Sequence, residues 1–127
     1  MSEILVNKLT GTSTAGSILV TGEGNSTTTN LQQGLAKCWG HFEGSDATLD
    51  DSFNSASLTD NGTGDFSANF TNNMGSVSYT GSFQSDDASN TNASAFADSS
   101  IRIQTRNSVN TVADRDDTIY TTFGDLA

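Results

Sequence analysis

Between Asp65 and Phe70 the chain alternates without a break, with Phe66, Ala68 and Phe70 on one side and Asp65, Ser67 and Asn69 on the other. A two-residue period sends successive side chains to opposite faces of a pleated strand. This segment therefore predicts a half-buried β-strand with its aromatic face inward. The same period recurs downstream. SVSYTGSFQ (76–84) sets Val77, Tyr79, Gly81 and Phe83 on one side and reads as the next strand of a meander. Ile101, Ile103 and Thr105 alternate with Arg102, Gln104 and Arg106. DTIYTTFGD offers Ile119, Thr121 and Phe123 as a closing strand, with Leu126 tucked beneath it. AKCWGHFE (36–43) alternates too, but neither face is cleanly apolar, because Trp39 and Phe42 point opposite ways. Helical periodicity is nearly absent. The expected class is all-β, an antiparallel β-sandwich or barrel-like head.

Punctuation between these runs supports the same class. In SLTDNGTGDF, Asn61-Gly62 is the dipeptide best suited to positive φ at both centres of a type I′ turn, so a hairpin is expected around it. The run from Gln84 to Ser100 is polar and small and reads as a long loop. Together with Ser45 to Asp51 it would supply exposed tips, the usual place for recognition.

The first 35 residues differ. Ile4–Val6 and Ile18–Thr21 are short β-like runs in Gly/Ser/Thr-rich sequence, too sparse for a core. Residues 1–35 are thus expected to be an extended arm that orders by adding strands to another chain or lying on a partner. Its apolar anchors would be Ile4, Leu5, Val6, Ile18, Leu19 and Val20. Leu31 and Leu35, four apart, allow one helical turn that Gly34 weakens. Residues 36–127 form the head.

Ser, Thr, Asn and Gly account for 60 of 127 residues, whereas Leu, Ile, Val and Phe number 25. That fraction is close to the level at which chains stay unfolded, so a core shared between chains is expected to supplement the monomer's own. The residues assigned to head core or interchain contact are Trp39, Phe42, Phe53, Phe66, Phe70, Tyr79, Phe83, Ile119 and Phe123.

The net charge of −10 leaves no basic stripe for a phosphate backbone, which argues against nucleic acid. Lone Cys38 cannot form an internal disulfide and reads as a buried small side chain made in a cytoplasm. No stretch reads as secretory or as a membrane insertion. His41, the single histidine, lies near no nucleophile-elbow serine, so it reads as a strand residue beside Trp39 or facing solvent. Asp50-Asp51, Asp86-Asp87 and Asp114-x-Asp116-Asp117 could collect calcium, yet they lack EF-hand spacing and read as surface acids. One Trp and two Tyr are few for a glycosidase cleft. Gly22-x-Gly24 lacks the third glycine and helix of a dinucleotide site. No catalytic, cofactor or metal residues are assigned.

The segment from Ala36 to Tyr79 resembles a module of fibre and appendage proteins of tailed bacteriophages, many of them marine. The resemblance rests on AKxW followed by F-x-G (Ala36, Lys37, Trp39, Phe42, Gly44), on SFN (Ser52, Phe53, Asn54), and on the SLTDNGTGDF hairpin with NFT (Asn69, Phe70, Thr71). The ending FGDLA and the opening SEILVNKL are similar to the same group. Where that group usually carries MPDANY, this chain has NNMGSVSY, and its segment before SFN is unusually acidic. The resemblance implies a non-enzymatic virion structural protein, made in the bacterial host cytoplasm and displayed on the virion surface. It would be a homotrimeric tail fibre, head fibre or capsid decoration. Its arm would dock on a capsid or tail protein, and its head would be free to meet a host glycan or protein. Alternatives are a free carbohydrate-binding β module and a virion-associated glycan depolymerase.

Overall fold

The computed structural model describes residues 3–13, 18–86 and 90–127. It contains two compact units, Met1–Leu35 and Ala36–Ala127.

In the first unit, β1 (Leu19–Thr21) pairs antiparallel with β2 (Thr28–Asn30). Asn25, at φ 55°, donates its N–H to the Gly22 carbonyl in the intervening turn. The expected helical turn is α1 (Leu31–Gly34), where the Asn30 side chain caps the Gln33 N–H at 3.1 Å. The described residues of the arm thus include a short hairpin of their own. Even so, none of its described residues is buried.

The second unit is all-β, a sandwich of two four-stranded antiparallel sheets. One sheet runs β4 (Thr48–Phe53), β3 (Cys38–Glu43), β10 (Thr118–Phe123), β7 (Thr80–Gln84). The other runs β5 (Ser55–Gly62), β6 (Asp65–Phe70), β9 (Ser100–Thr105), β8 (Thr91–Phe96). Inward residues of the first sheet (Cys38, Phe42, Tyr120) meet Phe66, Ala68, Phe70, Ile101 and Ile103 of the second, with Met74 sealing one end. Phe42 and Phe66 bridge the sheets with ring centroids 5.1 Å apart.

The inward faces of β6 and β9 and the split of Trp39 from Phe42 agree with the alternation in the sequence. Four details differ. Thr118, Tyr120 and Thr122 face the core in β10, and Ile119 does not. Threonine tolerates burial there because Thr118 Oγ1 donates to the Arg115 carbonyl (2.9 Å) and Thr122 Oγ1 to that of Cys38 (3.4 Å). Strand β7 starts at Thr80, leaves Val77 exposed, and pairs with β10 across the sandwich, not with β6 as a meander. The Gln84–Ser100 segment contains β8, and Ser45–Asp51 contains the start of β4, so neither is simply a loop. Finally, Gly62 pairs with Asp65, which moves the turn to Thr63-Gly64. Gly64 takes φ +62° there, and a Cβ on it would lie 2.6 Å from the Thr105 carbonyl oxygen.

Candidate functional site

The outer face of the β4-β3-β10-β7 sheet exposes Trp39, Phe53 and Ile119 beside the half-buried His41. Across the four strands one rung reads Phe53, Trp39, Thr121, Ser82, and the next reads Asp51, His41, Ile119, Gln84. Trp39 and Phe53 sit directly opposite each other at 37% and 52% exposure, with Ile119 at 45%. These rungs form a platform flanked by hydroxyl, amide and carboxylate groups.

One end of that face is dense in charge. A bulge in β4 between its Leu49 and Asp51 pairings brings Asp50 beside β3, so that Asp50 Oδ2 lies 3.7 Å from His41 Nδ1. On the other ring nitrogen, Asp117 Oδ1 lies 3.2 Å from His41 Nε2. Asp117 itself adopts φ 47° immediately before β10. Glu43 shares the outer face of β3 with His41, two residues on. Partial desolvation first, then the charges of Asp116, Asp117 and Asp50, hold the Glu43 carboxyl above its ordinary range. Its hydrogen-bond partner Asp116 is held below, chiefly because it accepts from Ser45, whose N–H is 3.1 Å away.

The acids of Asp114-x-Asp116-Asp117 do not converge on one point. Asp114 accepts from the Gly64 N–H at 2.6 Å, Asp116 fixes the Ser45 turn, and Asp117 faces His41. What sequence reasoning missed is the company of His41, because its partners lie 9 and 76 residues away. The only local signal was the i, i+2 spacing of His41 and Glu43.

The residues assigned to core or contact separate cleanly. Phe42, Phe66 and Phe70 are core, Tyr79 and Phe83 are half-buried against it, and Trp39, Phe53 and Ile119 are on the outer face. Phe123 is half-buried on that same face, opposite Thr80. In the arm, Ile4 and Leu5 are 82% and 83% exposed, and Val6, Leu19 and Val20 are exposed as well. Ile18 is half-buried.

Several motif residues turn out to carry architecture. Gly40 lies under the Tyr120 ring and Gly44 against the Arg115 backbone, where any Cβ would collide at 2.6 and 2.5 Å. Asn54 takes φ 59° between β4 and β5, donating to the Lys37 and Asn72 carbonyls (2.9 and 3.0 Å) and accepting from the Asn72 N–H (2.7 Å). Cys38 is fully buried, and burial pushes its thiol up to about 11 despite a side-chain hydrogen bond to Tyr120.

No family model, curated protein or solved structure matches this chain.

Proposed function

We propose that this chain is a structural protein of a tailed-phage virion: a short, non-enzymatic appendage, trimeric through its head and anchored to capsid or tail by its arm. The observation that carries the reading is the contrast between its two units. One has its own packed core, whereas the other keeps Ile4, Leu5, Val6, Leu19 and Val20 exposed. Apolar side chains held on a segment without a core gain free energy when another surface covers them. On the head, the rung of Trp39 and Phe53 with Ile119 supplies the same kind of surface for two further copies. The acids at its far end would lie at the rim, where like charges from neighbouring copies stay hydrated. The phage-appendage resemblance of residues 36–79 fits this division of labour.

Quantitative mass spectrometry of purified virions tests the reading. The expected result is a chain present in a copy number divisible by three, at a ratio to the major capsid protein that assigns it to capsid or tail. Deletion of Met1 to Gly22 should leave a folded head that no longer attaches. Absence from virions would overturn the proposal.

The platform also favours a second reading, a carbohydrate-binding module in which Trp39 and Phe53 pack against a sugar face while Gln84, Ser82 and Asp51 bond its hydroxyls. A chain that sediments as a monomer at micromolar concentration and binds glycans through Trp39 would support that reading over the first.

A further inference from the structure

We propose that His41, Glu43 and Asp117 form a binding site for a borderline divalent cation such as zinc, with Asp50 positioning the imidazole. One ligand atom from each of the three lies within 4.8 Å of those of the other two. Nitrogen and oxygen ligands bind zinc at roughly 2.0–2.2 Å, so neighbouring ligands around the metal are roughly 3.4 Å apart. The His41 Nε2 to Asp117 Oδ1 spacing of 3.2 Å already meets this, and Glu43 offers a carboxylate oxygen within 4.8 Å of the other two ligand atoms.

The imidazole is what separates this group from ordinary surface acids. Hard cations such as calcium take oxygen ligands, whereas a nitrogen donor at the centre of the set selects zinc, nickel or cobalt. The second ring nitrogen points toward Asp50 Oδ2 at 3.7 Å. That distance is beyond hydrogen-bond reach, and a closure of about 0.5 Å on metal binding would let the Asp50 carboxylate fix the ligating histidine's tautomer and raise its basicity. The scaffold is firm: β3 is paired on both sides, by β4 and by β10, and Asp117 enters directly ahead of Thr118, which pairs with Phe42. Three ligands fill three of the four positions of a tetrahedral zinc site, so water or a donor from a partner would complete the coordination.

The test is a calorimetric titration of the full chain with zinc chloride, repeated with calcium chloride, on wild type, His41→Gln, Asp117→Asn and Asp50→Asn. Expected are zinc binding in the wild type, a loss of at least tenfold in the first two variants, and a weaker loss in the third. Calcium should show no dependence on His41. Because the chain has one histidine, its ring C–H signals in a carbon-edited NMR spectrum of the wild type report occupancy without any variant. Zinc should shift them. An unshifted ring, or equal zinc affinity in wild type and His41→Gln, overturns the site.

Discussion

The Tyr120 ring lies directly over Gly40 on the neighbouring strand, so close that a Cβ on Gly40 would come within 2.6 Å of its ring and hydroxyl atoms. The hydroxyl in turn bonds Ser55 Oγ at 2.7 Å, tying the first sheet to the second. Gly40→Ala must push this ring off its partner. The expected loss is about 1–3 kcal/mol, read as a lower denaturant midpoint at unchanged slope. An unchanged midpoint would mean that the ring has room to retreat.

Asn54 joins the sheets by a different device. Asn54→Ala removes its bonds to Lys37 and Asn72 and leaves a Cβ residue at φ 59°, so a loss of about 2 kcal/mol or more is expected. Asn54→Gly loses the same bonds but relieves the backbone and should recover about 1 kcal/mol of it. Equal destabilisation of the two variants, measured by urea unfolding, would show that the left-handed conformation carries no cost.

How much of this was legible depended on whether the deciding contact was local. Phe66, Ala68 and Phe70, and Ile101 and Ile103, announce their inward faces because only one side of each strand is apolar. In TIYTTF both sides are amphipathic. The choice between Ile119 and Tyr120 falls to a hydroxyl that finds Ser55, 65 residues away. Strand β8 has one large side chain, Phe96, which pairs with Ile101 and packs on Tyr79, but the bulge between Ala93 and Ala95 breaks the alternation that would have revealed its face. The turn moved from Asn61-Gly62 to Thr63-Gly64 because only glycine fits against the Thr105 and Ala113 backbone. The His41 cluster was illegible for the same reason: its parts come from β3, a bulge in β4 and the approach to β10. The motif AKxW followed by F-x-G was visible, but the close packing of its Gly44 on the Arg115 backbone, 71 residues away, was not.

Cys38 gives a chemical readout of the core. With its thiol pushed up to about 11 and no exposed surface, the native chain should react with a disulfide reagent at pH 8 at least about 100-fold more slowly than the unfolded chain. The reaction rate should then follow the fraction unfolded as urea rises. Fast labelling under native conditions would mean that β3 opens independently of the rest.

On the opposite sheet, Arg102 grips Asp65 through two bonds, Nε to Oδ1 at 2.7 Å and a terminal nitrogen to Oδ2 at 2.5 Å. The Arg102 hydrogen bonds, opposed in part by desolvation, hold the Asp65 carboxyl below its ordinary range. A carboxyl whose folded pKa is depressed binds fewer protons folded than unfolded. Its stabilisation is therefore complete above the unfolded value of about 3.9 and disappears as pH falls through the lower folded value. The stability difference between wild type and Arg102→Gln should be constant near neutrality, shrink below about pH 4 and vanish in stronger acid. Added salt should reduce the neutral-pH difference, since the guanidinium is solvent-exposed. Urea midpoints measured between pH 2 and pH 7 decide the matter. A difference that stays the same across that range would mean that Arg102 contributes packing along its aliphatic stem, with no contribution from its charge.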